Sequence, residues 1–252
     1  MSPTFRRRSD VGRGHVGPLV SLILPTRNQA GHIGAVVEDF LKALRELPGP
    51  FEVIIVVNGS QDGTLEVCHG LATKHAEVRV LEAAPGWGSA VKKGVGEARG
   101  SLICYTNSAR TQADDLLLIL SYGLVNDRLV VKASRKVRAS VLRRLGSVIY
   151  NFEVRTLFGL AVWDVNGTPK AFPSSLRERI ALTEDGDLID MEFVVNCKLK
   201  GIPIVEVPVY ITERRAGKSS TNLGSAWTMY SGALRAYRRL RSEVQAAEAP
   251  TA

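Results

Sequence analysis

The sequence has few cysteines, few aromatic residues and no long apolar run. Its three cysteines, Cys68, Cys104 and Cys197, are far apart and show no metal-ligand spacing. This argues against a disulfide framework or a zinc site and favours a reducing compartment. No stretch reaches the roughly 18 uninterrupted apolar residues of a membrane-spanning helix, and the apolar run after the basic N-terminus is too short for a signal peptide. We therefore expect a cytoplasmic protein.

What is present is the composition of one globular domain. Hydrophobic residues make up 45% of the 252 residues and charged residues 23%, so an undivided α/β domain can form a sizeable core. Both ends are polar and low in periodicity. We predict a flexible basic arm at residues 1–17, a single domain at 18–242 and a flexible tail at 243–252.

The charge of the chain favours anionic partners. Lys and Arg outnumber Asp and Glu by 33 to 25, which gives a formal charge of +8. Phosphorylated substrates, anionic lipid surfaces and nucleic acid would all be attracted. The basic residues are dispersed and show no recognition helix or row of stacking aromatics, so we expect no nucleic-acid binding.

Short β-rich runs alternate with helical stretches through the first half of the chain. Strands are predicted at 19–24, 53–57, 78–82, 101–106 and 129–133, helices at 33–47, 65–75, 90–98 and 114–120. This alternation predicts an α/β fold with a Rossmann-like, mainly parallel sheet flanked by helices. The ligands of such sheets bind at the carboxyl ends of the strands. A last strand at 204–211 and a helix at 223–240 follow.

The predicted helix at 140–158 is amphipathic and basic. Its apolar residues lie largely along one stripe, and its arginines lie elsewhere; the stripe contains Val141, Leu145, Val148, Ile149, Phe152 and Leu157. Such a helix either packs on the core or lies on an anionic membrane surface. The Arg-bearing helix at 223–240 allows the same two interpretations.

Polar turns follow the first two strands. The first is Pro25-Thr26-Arg27-Asn28, and the second runs from Asn58 through Asp62 to Thr64. Each alone is an ordinary strand–helix turn. Together they place polar groups and helix N-termini at one edge of a parallel sheet, where anions bind.

Later segments complete a recognisable order of motifs. They are Gly86-Trp87-Gly88 with Lys92 and Gly94; Asp164, Gly167 and Lys170; Asp190-Met191-Glu192; Glu206-Val207-Pro208-Val209; and Arg214 with Gly217 and Ser219. With these motifs the chain resembles glycosyltransferase family 2 of the GT-A fold. The later segments resemble its dolichyl- and polyprenyl-phosphate sugar synthase branch.

The resemblance implies three groups of site residues. Donor binding would fall to Pro25, Thr26, Arg27, Asn28, Asn58, Asp62, Lys92, Asn107, Ser108, Ala109 and Arg110. Asp190 or Glu192 would orient or deprotonate the acceptor as catalytic residues, although acids at a helix start are also ordinary dipole partners. Acceptor or phosphate binding would fall to Asp164, Lys170, Arg214, Lys218 and Ser219.

The chain departs from the family where the metal ion is normally held. The usual Asp-x-Asp after the fourth strand is replaced by Asn107-Ser108-Ala109-Arg110, and the Asp-Asp of the second strand by Val57-Asn58. We therefore assign no metal ligand; Mg²⁺ and Mn²⁺ are the cofactors to test. Arg110, with Arg214 and Lys218, could neutralise a pyrophosphate instead.

The expected function is an inverting, metal-independent transfer of a sugar from a nucleotide diphosphate sugar to a polyprenyl-phosphate-type acceptor. Such an acceptor implies peripheral contact with the inner face of a membrane. The alternatives are a transferase acting on a soluble metabolite or glycan, and a non-catalytic protein that binds nucleotide sugars. The oligomeric state is not determined by the sequence.

Overall fold

The computed structural model describes residues 19–135, 141–210 and 230–238, with the backbone alone for 141–145 and 147. The predicted arm at 1–17, the tail at 243–252 and the predicted phosphate-binding residues Arg214, Lys218 and Ser219 lie outside these ranges. So does part of the predicted helix at 223–240, of which residues 230–238 are helical.

Seven strands form the sheet. They are β1 Val20–Thr26, β2 Phe51–Asn58, β3 Val78–Ala83, β4 Leu102–Tyr105, β5 Val130–Arg135, β6 Lys170–Pro173 and β7 Ile204–Val209. The helices are α1 Ile33–Leu44, α2 Thr64–Lys74, α3 Trp87–Glu97, α4 Ala113–Val125, α5 Val141–Phe158, α6 Arg177–Ile180 and α7 Ile189–Leu199. A 3₁₀ turn, Ser174–Leu176, precedes α6.

The strand order is β3-β2-β1-β4-β6-β5-β7. Only β6 runs against its neighbours within this sheet, so the predicted mainly parallel α/β fold is confirmed. Because β6 is reversed, its first residue, Lys170, pairs with Tyr105 at the end of β4 and with Lys132 in β5. The reversal thus brings the start of β6 to the carboxyl edge of the sheet.

The central strands are buried on both faces, which explains their continuous apolar sequence. Ile23 and Ile54 face a core formed with α3, α5 and α7. Leu22 and Ile55, which adjoin Ile23 and Ile54 in sequence, face a second core formed with α1, α2 and α4. The period-two alternation of a strand therefore divides the apolar residues between two helical layers.

Strand β6 and helix α6 are absent from our sequence prediction. Four residues are too few to show an alternating pattern, and β6 ends in Pro173. Its place in the sheet depends on pairing with β4 and β5, which lie far away in the sequence. The existence of β6 was therefore decided by tertiary structure.

Helix α5, Val141–Phe158, begins one residue later than predicted and exposes much of its predicted apolar stripe. Val148, Ile149 and Phe152, from the predicted apolar stripe, are 58%, 50% and 70% exposed. Tyr150 and Val154 are the residues that face the core. The described part of the predicted stripe is thus an uncovered apolar surface.

Candidate functional site

The turns after β1 and β2 are joined by hydrogen bonds at the carboxyl edge of the sheet. The Asn28 amide donates to Ser60 Oγ at 3.1 Å, and the Gln61 amide donates to Asn28 Oδ1 at 2.8 Å. The Ala30 amide donates to Asp62 Oδ2 at 3.2 Å. The predicted site residues Asn28 and Asp62 therefore belong to one polar network.

Asp62 is the anionic member of that network. Its carboxylate accepts hydrogen bonds from the hydroxyl and the amide of Thr64 as well as from the Ala30 amide. The Thr64 hydroxyl, together with these amides, lowers the pKa of Asp62 against a smaller opposing effect of burial. Asp62 thus stays ionised and fixes the start of α2 against the first turn.

The turn after β4 joins the same network through neutral groups. Ser108 Oγ donates to Gln29 Oε1 at 2.7 Å, and the Ala109 amide donates to Asn107 Oδ1 at 3.1 Å. The buried hydroxyls of Thr106 and Thr111 lie 2.6 Å apart. Ser108 thereby places the third strand end beside the first two.

Asn58, the last residue of β2, presents an unsatisfied acceptor. Its Nδ2 donates to the Gly86 carbonyl at 3.0 Å, which ties β2 to the start of α3. Its Oδ1 is buried and has no hydrogen-bond partner among the residues that the structure describes. Buried polar atoms are normally paired, so an atom of this kind at a sheet edge suggests a ligand contact.

The remaining donor-site candidates differ in exposure. Arg27 is exposed at the end of β1, whereas Pro25 and Thr26 are buried within it. Thr26 Oγ1 donates to the Leu24 carbonyl at 2.9 Å. Arg110 is half-buried and has its own interactions. Of these four, Arg27 is the most accessible to a phosphate.

Lys92 is held by the segment 183–185, which we call the strap. Lys92 Nζ donates to the Thr183 carbonyl at 2.6 Å and lies 2.7 Å from Asp185 Oδ1. The Ser89 amide donates to the Asp185 carbonyl at 3.0 Å. A Cβ on Gly88 would lie 2.3 Å from the Glu184 carbonyl oxygen, so only glycine allows this close packing.

Glu192, a predicted catalytic residue, holds the other side of the strap. Its carboxylate accepts from the Thr183 amide at 3.0 and 2.9 Å and from the Glu184 amide at 3.0 Å. The Thr183 hydroxyl donates to it as well. In this structure Glu192 is half-buried and accepts hydrogen bonds from the backbone amides of the strap.

Asp190, the other predicted catalytic residue, is only 6% exposed. Tyr105 Oη donates to its Oδ1 at 3.0 Å and Trp87 Nε1 to its Oδ2 at 3.1 Å. The fully buried Lys170 ammonium forms an ion pair with the same carboxylate. Burial lowers the pKa of Lys170 to about 8, although the Asp190 charge opposes that effect.

Asp164, predicted in the phosphate-binding group together with Lys170, forms a bidentate ion pair. Arg135 Nε lies 2.7 Å from Asp164 Oδ2, and Arg135 Nη2 lies 2.7 Å from Oδ1. The fully buried Lys132, also in β5, forms an ion pair with Glu206, in which Lys132 Nζ lies 2.9 Å from Glu206 Oε1. The structure therefore places Asp164 and Lys170 in internal ion pairs, and Arg135 is the cation that Asp164 positions at the end of β5.

Sequence reasoning missed Tyr105, Trp87, Lys132 and Arg135. A lysine and an arginine within the short apolar run of β5 were a usable signal, because unpaired charge is rarely tolerated in a buried strand. Nothing in the local pattern around Tyr105 or Trp87 indicated their contact with Asp190, which is distant in sequence.

The strand ends do not fit a divalent cation held by carboxylates. The turn after β4 offers hydroxyl and amide oxygens that already make internal hydrogen bonds. Over residues 19–135, 141–210 and 230–238, no group of three or more His, Cys, Asp and Glu side chains could hold a metal. Hard cations such as Mg²⁺ and Mn²⁺ favour carboxylate oxygens.

Comparison with known proteins supports the resemblance to glycosyltransferases. Residues 21–138 match the model of glycosyl transferase family 2. Over 216 residues the chain is 27% identical to an uncharacterized glycosyltransferase of Mycobacterium bovis. This match covers 82% of this chain and 91% of that protein.

Two further proteins that are similar to this chain have names that indicate different acceptors. An undecaprenyl-phosphate 4-deoxy-4-formamido-L-arabinose transferase of Pectobacterium carotovorum is 24% identical over 61% of this chain and 48% of its own. The glucosyl-3-phosphoglycerate synthase of Mycobacterium tuberculosis, solved with Mn²⁺, UDP-glucose and glycerol 3-phosphate, superposes with a TM-score of 0.67. That match has 18% identity and covers 88% of this chain and 80% of the synthase, so it establishes the shared fold.

Every helix among the described residues is too short or too polar to cross a bilayer.

Proposed function

We propose that this chain transfers a sugar, with inversion, from a nucleoside diphosphate sugar to a polyprenyl-phosphate-type acceptor, without a carboxylate-bound metal. The observation that carries the donor site is the unsatisfied Asn58 Oδ1 at the edge where three strand-end turns are joined. A family 2 domain supplies the reaction class.

Asn58 is suited to contact the base of the nucleotide. Because its Nδ2 is committed to the Gly86 carbonyl, its free Oδ1 presents an acceptor. An acceptor in this position complements the N–H of an imide or lactam, which uracil, thymine and guanine carry and cytosine does not. A base that donates to Asn58 would remove the unsatisfied group and gain one hydrogen bond.

Positive side chains would stabilise the leaving pyrophosphate in place of a metal. Arg27 is exposed at the end of β1, and Arg110 belongs to the turn after β4. Arg214 and Lys218, outside the described residues, are the further cations that the sequence offers. Guanidinium groups match phosphate oxygens by paired, charge-assisted hydrogen bonds.

We assign positioning functions to Asp190 and Glu192. Both carboxylates are used by protein donors, Asp190 by Lys170, Tyr105 and Trp87 and Glu192 by the strap. A phosphate acceptor is already ionised at neutral pH and needs orientation more than deprotonation. Saturated carboxylates therefore agree with a phosphate acceptor better than with a hydroxyl acceptor.

A lipid-linked acceptor agrees with the exposed surface of α5. Val148, Ile149 and Phe152 on the helix and Trp163 after it, which we call the α5 patch, are each at least half exposed. Arg155 lies 4.2 Å above the Trp163 ring, so a cation stands within the patch. Apolar and aromatic side chains beside arginine are typical of interfacial elements.

A soluble acceptor is the competing proposal, and a non-catalytic nucleotide-sugar-binding protein is the third. The structural relative solved with glycerol 3-phosphate supports a small phosphorylated acceptor. Vesicle binding separates the first two proposals, and sugar transfer separates both from the third.

The deciding experiment is calorimetric titration with UDP-, GDP- and dTDP-sugars, each with Mn²⁺, with Mg²⁺ and with chelator. We expect binding that survives chelation. We expect Asn58→Ala to lower the affinity about five- to tenfold, the usual effect of one lost hydrogen bond. Asn126→Ala, at the exposed end of α4, is the matched control.

Binding that disappears with chelator would overturn the metal-free donor site. If no nucleotide sugar binds under any condition, the transferase proposal itself is wrong. Transfer from the tightest-binding donor to a short polyprenyl phosphate, compared with 3-phosphoglycerate, then tests the acceptor.

A further inference from the structure

A second set of unsatisfied polar atoms lies on the inner face of α5. Tyr150 is 4% exposed, and its hydroxyl has no hydrogen-bond partner among the described residues. Glu153, one helical turn on, likewise has a buried Oε2 without a partner in that part of the chain. Residues three apart share a helix face, so the two groups point to the same side.

The Tyr150 ring is held in place by a neighbour that does not satisfy its hydroxyl. Tyr150 and Tyr230 pack edge to face, with ring centroids 5.7 Å apart and planes at 80°. Tyr230 donates its own hydroxyl to the Gly146 carbonyl at 2.6 Å. The orientation of the Tyr150 phenol is thus fixed while its polar end stays unpaired.

Three carboxyl groups act electrostatically on the Tyr150 hydroxyl. Burial first, and then the charges of Asp190, Glu153 and Asp187, raise the pKa of Tyr150. Burial raises the pKa of Glu153, and burial with the Asp190 charge raises that of Asp187. Of the three, Asp190 is paired with a cation, Lys170. The electrostatic environment of the phenol is therefore acidic.

We propose that Tyr150 and Glu153, on the inner face of α5, form a subsite for hydroxyl groups of the sugar carried by the donor. Carboxyl groups in this number repel pyrophosphate and phosphate, whereas neutral sugar hydroxyls donate to carboxylates and exchange hydrogen bonds with a phenol. The subsite rests on the proposed donor function and adds the residues that recognise the sugar.

The location agrees with this assignment. Asp190 links the subsite to the carboxyl edge of the sheet through Tyr105, the last residue of β4, and through Trp87 at the start of α3. Nucleotide contacts at Asn58 meet the same helix start, because Asn58 donates to the Gly86 carbonyl.

The test measures the contribution of the sugar to the binding affinity separately from that of the nucleotide. The wild type, Tyr150→Phe and Glu153→Gln are titrated with UDP and UDP-glucose and, in parallel, with GDP and GDP-mannose. In both variants we expect the affinity for the preferred nucleotide sugar to fall about five- to tenfold, and the affinity for the bare nucleotide to stay unchanged. Tyr122→Phe, at an exposed tyrosine of α4, is the matched control.

The melting temperature gives an independent readout. Removing a buried hydroxyl that has no partner relieves its desolvation, so Tyr150→Phe should melt at the same temperature as the wild type or higher. A lower melting temperature, with unchanged sugar affinity, would show that an internal water satisfies the hydroxyl and would overturn the subsite. Equal loss of nucleotide and nucleotide sugar would overturn it too. Absence of any nucleotide binding by the wild type would instead refute the donor function.

Discussion

Lys170 and Asp190 form a buried ion pair whose two charges depend on each other. Lys170 is fully buried, and Asp190 also accepts hydrogen bonds from Tyr105 and Trp87. Removing water from two charges is costly, and their attraction offsets that cost only while both are present. The pair therefore stabilises the contacts among β4, β6, α3 and α7 only while both charges are present.

We predict that Asp190→Asn lowers the free energy of unfolding by about 3–5 kcal/mol, because it leaves the Lys170 ammonium buried without a counter-charge. The double variant Lys170→Met/Asp190→Asn should recover much of this loss, since the amide oxygen still accepts from Tyr105 and Trp87. Urea denaturation measures both. A double variant no more stable than Asp190→Asn would contradict the argument.

Glu52 forms a second buried network at the opposite edge of the sheet. Its carboxylate accepts from Ser21 Oγ at 2.6 Å, from the Arg99 amide at 2.8 Å and from Arg79 Nη1 at 2.7 Å. Burial acts to raise the pKa of Glu52, but these donors outweigh it and the pKa is lowered. The folded state therefore favours the ionised form.

We predict a pH-dependent effect of Glu52→Gln. At pH 7 the variant should be less stable than the wild type by about 1–3 kcal/mol, the usual effect of weakened hydrogen bonds to a charged group. Because folding lowers the pKa from its ordinary value of 4.5, this advantage of the wild type is complete above that pH. It should shrink as the pH falls through the lowered pKa. Denaturation curves between pH 7 and pH 3 test this, and a constant difference would refute it.

At the scale of elements, helix α3 lies unusually close to β1 because of one glycine. A Cβ on Gly94 would lie 2.3 Å from Ile23 Cγ2, whereas a Cβ on Gly96 would meet nothing within 4 Å. Both glycines are inside α3, Trp87–Glu97. Gly94 therefore allows the close packing of α3 against β1, whereas Gly96 only lowers the helix propensity of α3.

We predict opposite effects for alanine at these two positions. Gly94→Ala should destabilise the domain by about 1–3 kcal/mol through overpacking against β1. Gly96→Ala should stabilise it by up to about 1 kcal/mol through helix propensity. Thermal or urea denaturation of the two variants tests this prediction. Stabilisation by both substitutions would show that α3 can shift away from the sheet.

At the scale of the whole molecule, charge and exposed apolar surface act together. The formal charge of +8 attracts the chain to anionic surfaces, and the α5 patch offers side chains that can enter the headgroup region. The second exposed apolar group, Leu118, Tyr122 and Val125 on α4, has no described arginine stacked on it and serves as a reference surface.

We predict sedimentation with vesicles that contain anionic lipid, weakened by salt because part of the attraction is electrostatic. Phe152→Ser/Trp163→Ser should reduce binding by about tenfold or more, since each large apolar side chain contributes roughly 1.5–3 kcal/mol when fully buried. Tyr122→Ser/Val125→Ser should bind like the wild type. Equal losses in both variants, or no vesicle binding, would favour a soluble acceptor.

The sequence by itself determined what depends on local order. The apolar runs of β1 and β2, helix α1 between them and the polar turns at Asn28 and Asn58 follow from residue periodicity and turn chemistry. The family and the missing carboxylates after β4 were also readable, because motifs survive in their order along the chain. These features are set by neighbours in sequence.

Tertiary structure decided whatever depends on pairing between distant residues. The reversed β6 puts Lys170 beside Tyr105, and α7 brings Asp190 against both, so predicted catalytic and phosphate-binding residues become one buried pair. The orientation of α5 exposes an apolar stripe and turns Tyr150 inward. A periodic pattern fixes which residues share a helix face, but only packing against the rest of the chain determines which face is buried.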